Sequence, residues 1–175
     1  MVKGNKPEGG SWSFDTENRQ PFEKNQEEVE LLKVNKNKSE YIDEAIAYIN
    51  KNYSKHYGLC EKENFVYPIS RIDALKWLDD FISRKLNLFG KYEDAFSSKV
   101  IFGYHSALSP LTNIGIITPV DILDKIEDYK KNIASKEGFI RQLIGWREYC
   151  YFVYDKYYES LTTKIFYKKS NKKIP

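Results

Sequence analysis

The chain has 175 residues, of which 41% are hydrophobic and 15% aromatic, and its 28 Lys and Arg residues exceed its 25 Asp and Glu by three. So small a net charge does not indicate nucleic-acid binding unless basic residues cluster locally. Cys60 and Cys150 are far apart and lack the spacing of a zinc site or a disulfide framework. The sequence has no apolar run of about 20 residues, the length that spans a bilayer, and no signal-peptide core at its start. We therefore expect a soluble, intracellular protein that does not contact a membrane.

Residues 1–38 predict an extended connector, because glycine and proline interrupt any regular element there. From Ser39 onward the pattern is helical, and the first apolar stripe consists of Ile42, Ala45, Ile46 and Ile49. Ser70 is a favourable N-cap for a second helix, whose apolar stripe is broad.

Thr118 and Pro119 are typical of a helix start, and Ser135 is a candidate cap for the last long helix. Residues 139–154 of that helix are apolar nearly all round, which predicts a central position. The sequence thus predicts an all-α domain at 39–156, followed by a Lys- and Tyr-rich tail at 157–175 that ends in a solvated group: Lys168, Lys169, Lys172 and Lys173.

The stretch 102–119 carries the clearest chemical signal. Ser106 and Ser109 are three residues apart and are followed at once by Pro110. If this turn is helical, both hydroxyls lie on one face. Hydroxyls and free backbone N–H groups at a helix start suit a phosphate or pyrophosphate, although a capped turn between two helices has the same pattern.

The segment from His105 to Pro110, with Gly115 and Thr118-Pro119, resembles the flavin-phosphate segment of the photolyase/cryptochrome superfamily. Further blocks match its bacterial iron–sulfur, photolyase-related branch in order and spacing: Gly10-Ser-Trp-Ser-Phe-Asp-Thr-Glu-Asn-Arg19, Tyr67-Pro-Ile-Ser-Arg71, Phe89-Gly-Lys-Tyr-Glu-Asp-Ala95 and Glu137-Gly-Phe-Ile-Arg-Gln-Leu-Ile-Gly-Trp-Arg-Glu-Tyr149. The resemblance implies the connector and first half of the helical flavin domain, without the antenna domain that precedes it in the family.

The resemblance also implies two groups of site residues. The first would contact FAD and comprises Tyr92, His105, Ser106, Ala107, Leu108 and Ser109. The second would line the pocket for a flipped DNA lesion and comprises Arg141, Gln142, Trp146 and Arg147. In the second group, Trp146 is equally well explained as a base-stacking side chain or as a core anchor, and the helix-interior Gly145 indicates close packing beside it.

The parent activity that the resemblance implies is that of a light-dependent DNA photolyase. In the family, the flavin-ring pocket and the cluster cysteines follow the last block, so we expect a truncated or split protein that is inactive alone and holds no iron–sulfur cluster. Retention of FAD is then open, and so are the partners, which are either DNA or the missing photolyase segments on separate chains. An alternative is a helical nucleic-acid-binding module. The apolar last helix further predicts an exposed patch and a tendency to self-associate.

Overall fold

The structure is a computed structural model that describes residues 2–34 and 39–163. The chain divides into two compact units, Met1–Phe139 and Ile140–Pro175. Apart from a short antiparallel pair, in which β1 (Val2–Lys3) joins β2 (Lys6–Pro7), the described chain is built from helices and loops. The all-α prediction is confirmed.

The helix bounds are α1 (Glu40–Tyr53), α2 (Arg71–Asp80), α3 (Leu86–Phe89), α4 (Ser109–Asn113), α5 (Pro119–Ile126), α6 (Ile133–Ile140) and α7 (Trp146–Thr163). A π-helical segment, Phe81–Lys85, joins α2 to α3, and a second one, Arg141–Gly145, joins α6 to α7. The loop between α3 and α4 leads into the candidate site.

Three predicted helix starts are confirmed by their hydrogen bonds. The side chains of Ser39, Ser70 and Thr118 accept from the backbone N–H groups three residues further on. In turn, the Asp121 carboxylate accepts a hydrogen bond from the Thr118 N–H at 2.7 Å, which completes a capping box.

The start of α6 differs from the prediction. Ser135 does not cap this helix, because α6 already begins at Ile133 and the Asn132 side chain accepts from the Ser135 N–H at 3.0 Å. Ser135 is instead completely buried: its hydroxyl donates to the Asn87 carbonyl and accepts from the Gly90 N–H. Its polar side chain thereby ties α6 to the end of α3.

The core of the first unit lies around the second half of α2 and the π-helical segment after it. Phe81 is 4.8 Å from Phe139 between ring centroids, and Phe89 packs edge-on against both rings. The other buried core side chains include Trp77, Leu78, Leu86, Leu111, Ile117, Ile122 and Ile126. Burial of this apolar surface is the main stabilising contribution to the unit.

The connector makes specific contacts with the helices. Asn18 is buried and donates to the Ala134 carbonyl and to Glu93, at 3.4 Å each. Further along, Phe22 lies 5.2 Å from the Tyr92 ring. The connector is therefore part of the first unit's packing.

The second unit contains the second π-helical segment and α7. The prediction of a central, covered helix at 139–154 is wrong for its α7 part, in which no residue is buried within the described part of the chain, although Phe139 and Leu143 before α7 are buried. The predicted apolar patch is present, with Trp146, Tyr149, Tyr151, Phe152 and Tyr154 all more than half exposed. Helix α7 also continues to Thr163, inside the stretch predicted to be a tail, whereas the four tail lysines lie outside the described residues. No helix in the described ranges is long and apolar enough to cross a membrane.

Candidate functional site

The turn that precedes α4 carries the two serines of the candidate phosphate cradle, defined here as residues 105–109. Ser109 is the first residue of α4, whereas Ser106 lies before the helix. Between them Ala107 has a φ of 52°, a left-handed conformation that non-glycine residues seldom adopt. The conditional expectation that both hydroxyls share one helical face is therefore not met, because residues 105–108 are not helical and Ala107 is left-handed.

The donors of the cradle remain available to an anion. Ser109 is exposed, and its backbone N–H stands at the first position of α4, where a helix offers no acceptor. The Ser106 hydroxyl oxygen accepts from the Leu108 N–H at 3.4 Å and keeps its own O–H donor. Chemically, this is an arrangement of neutral donors that suits a phosphate oxygen.

The cradle is anchored to α2 and the core by two of its residues. Trp77 on α2 donates from Nε1 to the Ser106 carbonyl oxygen at 2.9 Å, and Trp77 is 2% exposed. Leu108 is also buried. The hydrogen bond from Trp77 and the burial of Leu108 thus hold the backbone of the cradle, while the two serines are more exposed to solvent.

His105 opens the cradle, and its N–H donates to the Phe102 carbonyl at 2.9 Å. Its ring packs edge-on against Phe89, although part of the side chain is exposed. Partial desolvation and the nearby Lys85 ammonium lower the pKa of His105. The imidazole is therefore neutral at pH 7 and can donate or accept a hydrogen bond.

Tyr92, the remaining predicted flavin contact, is buried among aromatic side chains. Its ring stacks on Tyr104 and lies tilted against Phe22, at 5.2 Å between centroids in each pair, and its hydroxyl is 3.2 Å from a Glu23 oxygen. In this arrangement Tyr92 supports the loop that leads to the cradle, because Tyr104 directly precedes His105.

A carboxylate from the connector lies just before the cradle. Glu28 accepts hydrogen bonds from three consecutive backbone N–H groups, those of Ile101, Phe102 and Gly103, the last at 2.7 Å. Partial desolvation alone would raise the pKa of Glu28, but these bonds and the Lys85 ammonium hold it below its ordinary value. Sequence reasoning missed Glu28, since it is one of many charges in a stretch with no periodic pattern.

Lys85, at the end of the first π-helical segment, is 1% exposed. Within the described part of the chain its ammonium has no hydrogen-bond partner. Desolvation lowers the pKa of Lys85 to about 8, although Glu28 favours the charged form. A charged residue inside a helix pattern is normally solvated, so this burial was not predictable from the sequence.

The second predicted group lies in the second unit. Arg141 and Gln142 are half-buried in the second π-helical segment, and the Arg147 guanidinium donates to the Leu143 carbonyl at 2.7 Å. Trp146 is 59% exposed and packs edge-on against Tyr149. Of the two interpretations of Trp146, the core anchor does not fit this exposure.

Gly145 does not make the close contact expected from the sequence. Among the described residues, a Cβ added there would meet only the Arg141 Cγ, at an ordinary 3.8 Å. The glycine is therefore not required by packing within this part of the chain.

The two cysteines are free thiols, half-buried at Cys60 and exposed at Cys150. In residues 2–34 and 39–163, no three or more His, Cys, Asp or Glu side chains are grouped so that they could hold a metal ion.

Comparison with known proteins identifies relatives along most of the chain. The family model for deoxyribodipyrimidine photo-lyase-related proteins matches residues 1–65. A (6-4) photolyase of Agrobacterium fabrum is 34% identical over 160 residues, which are 88% of this chain and 30% of that protein. An uncharacterized protein of Acanthamoeba polyphaga mimivirus is 44% identical over 68 residues, 36% of this chain and 52% of the viral protein. The chain thus spans less than a third of the length of the (6-4) photolyase and about half of the length of the viral protein.

Proposed function

Because the chain belongs to the deoxyribodipyrimidine photo-lyase-related family, we propose that its cradle binds the pyrophosphate of FAD. The observation that carries the proposal is the exposed Ser109, whose backbone N–H stands at the first position of α4, three residues after the Ser106 hydroxyl. In this role Ser106 and Ser109 donate to phosphate oxygens. His105 bounds the site as a neutral imidazole, and Ala107 and Leu108 supply the backbone that closes it.

The residues present fit a phosphate group. The described cradle offers hydroxyl and N–H donors, and its own residues include no carboxylate that would repel an anion. When bound, a flavin supplies the light-driven electron transfer that the family resemblance implies. The residues of this chain would bind and orient its phosphates, and Tyr92 would act through Tyr104 as a support for the loop.

We propose further that these 175 residues hold FAD by its phosphate end only and do not repair DNA by themselves. The aligned region covers 30% of the (6-4) photolyase, and the family resemblance assigns the ring pocket to segments that follow the last matching block. Contacts to phosphate that are open to water are weakened by its high dielectric constant. Repair activity would therefore require, beyond these residues, the photolyase segments to which the family resemblance assigns the ring pocket.

A comparison of three ligands tests the proposal. Titration calorimetry with the whole chain should give similar, weak affinities for FAD and ADP, which share the pyrophosphate, and no binding of riboflavin, which lacks it. Ser109→Ala should weaken FAD and ADP binding alike. Ser83→Ala, which changes an exposed serine whose hydroxyl bonds only locally to the Asp80 carbonyl, is the matched control. Riboflavin binding as tight as that of FAD would contradict the proposal.

A second candidate function, nucleic-acid binding through α7, is favoured by one observation. The exposed rings of Trp146 and Tyr149 could stack on unpaired bases. The charge of α7 disfavours this function, because the helix contains two basic residues and three acidic ones, Glu148, Asp155 and Glu159. Salt-sensitive binding of single-stranded DNA that Trp146→Ala and Arg147→Ala weaken would support this candidate, and no binding at low salt would remove it.

A further inference from the structure

We propose that the backbone N–H groups of residues 101–103 and the Lys85 ammonium form an anion-binding site whose resident anion is the Glu28 carboxylate, and that a small free carboxylate takes the site when Glu28 is removed. Through this site Glu28 acts as a positioning residue for the cradle. This positioning role rests on the proposed flavin function, whereas the anion site itself does not.

The first support is the geometry of the loop. Three successive N–H groups converge on one carboxylate, and the third belongs to Gly103, whose φ is 47°. Successive N–H groups with a left-handed residue form a concave anion-binding backbone nest. Gly103 is also confined by packing, since an added Cβ would stand 2.8 Å from the Phe22 ring.

The second support is independent of the loop. Lys85 is 99% buried, yet its ammonium has no hydrogen-bond partner in the described chain. A buried cation without a partner is costly. It acts electrostatically on both Glu28 and His105. The site therefore combines three neutral donors with a buried lysine whose charged form Glu28 favours electrostatically.

The position of the site gives it a role in the cradle. The Phe102 carbonyl accepts from the His105 N–H, so the loop held by Glu28 leads directly into residues 105–109. Removal of the Glu28 carboxylate would leave three N–H groups without their acceptor. It would also remove the negative charge that favours the charged form of Lys85. The loop before the cradle would then lose its fixed conformation, although no cradle residue had changed.

Chemical rescue tests the anion site without any flavin. In the full chain with Glu28→Ala, sodium formate should raise the melting temperature by about 3 °C near saturation and shift the amide signals of residues 101–103. Sodium chloride at equal ionic strength should do neither. The wild type and Glu30→Ala, which removes an exposed connector carboxylate paired with Lys33, should not respond to formate.

Two further variants keep the test decisive. Lys85→Met added to Glu28→Ala should abolish the formate effect. Glu28→Gln preserves the side-chain size in case the alanine variant does not fold, and it should bind formate less well than the alanine variant, because the amide still fills the space. If formate and chloride act equally on the folded Glu28 variants, the anion site is wrong.

The positioning role is tested by FAD affinity. We expect Glu28→Ala to weaken FAD binding about tenfold and formate to restore it, while Glu30→Ala leaves it unchanged. If the wild type does not bind FAD, the proposed function fails, and the formate result still decides the anion site. If the wild type binds FAD and Glu28→Ala binds it equally well, the positioning role is overturned.

Discussion

Trp77 and Ser106 are joined by a partly buried hydrogen bond, in which the indole Nε1–H donates to the Ser106 carbonyl at 2.9 Å. This bond connects the buried Trp77, the one aromatic side chain of α2, to the cradle. The Trp77 ring also stacks on Tyr67, at 6.1 Å between centroids. The Tyr67–Arg71 block and the serine–proline block, which are separate in the sequence, therefore meet through one indole.

Trp77→Phe removes the donor and leaves the Ser106 carbonyl unpaired. We expect a loss of about 1–2 kcal/mol in the free energy of unfolding, because the partly buried carbonyl loses its hydrogen-bond donor. Urea denaturation measures it. Trp12→Phe is the control, because Trp12 is 71% exposed and its change should stay within about 0.5 kcal/mol. Equal effects of the two substitutions would show that the indole bond does not anchor the cradle.

Gly90 and Gly145 should respond to alanine in opposite directions. A Cβ on Gly90 would lie 2.8 Å from both Asn18 Oδ1 and Ser135 Cα, so Gly90→Ala should destabilise the protein by more than about 2 kcal/mol. A Cβ on Gly145 has room, and Gly145→Ala should stabilise the helix by roughly 0.5–1 kcal/mol. Thermal unfolding of the two variants measures both, and a destabilising Gly145→Ala would indicate a neighbour outside the described residues.

Lys85 should make stability depend on pH. Burial lowers its pKa to about 8 from 10.5, in surroundings that include Glu28, Asp80, Arg84 and His105. Between these pH values the unfolded chain binds more protons than the folded one, so this group contributes stability that rises with pH, by up to about 1.4 kcal/mol per pH unit. Lys85→Met should be more stable than the wild type at pH 7.

Urea titrations at pH 7 and pH 9.5 measure this difference. The stability advantage of Lys85→Met should shrink at the higher pH, since the wild-type lysine is then mostly neutral. Groups that titrate in both proteins cancel in the comparison. An advantage that stays constant across this range would mean that Lys85 is not desolvated.

The exposed aromatic face of α7 should promote self-association. Tyr149 and Phe152 are 58% and 51% exposed, and contiguous apolar surface of this kind favours contact between molecules. Sedimentation velocity should show concentration-dependent association of the wild type, reduced in Tyr149→Gln/Phe152→Gln. Tyr41→Gln, at a 68% exposed tyrosine of α1, should not reduce it. A wild type that remains monomeric at all concentrations contradicts the prediction.

Helix starts were predictable because their signals are local. Ser39, Ser70 and Thr118 each cap a helix through a bond to an N–H three residues away, and such spacing can be read directly. Ser135 has the same residue type, but its bonds reach Asn87 and Gly90, about 45 residues earlier in the chain. No short-range pattern distinguishes these two roles.

The candidate site was only partly predictable for the same reason. The cradle serines stand next to a proline in a recognisable block. Glu28, in contrast, acquires its role through hydrogen bonds to residues more than 70 positions away, and Lys85 acquires its role through burial in the folded core. A charged connector residue and a helical lysine are ordinary in isolation. Similarly, the apolar pattern of α7 predicted burial, because periodicity reports the composition of a face and not whether another element covers it.

The central claim is that residues 105–109 bind the phosphates of FAD. A ¹⁵N–¹H NMR titration of the whole chain with FAD tests it most directly. The account predicts that the largest saturable amide shifts fall on Ser106 and Ser109, that ADP reproduces them, and that Ser109→Ala reduces them. Shifts confined to residues outside 101–113, or no shifts with either ligand, would contradict it.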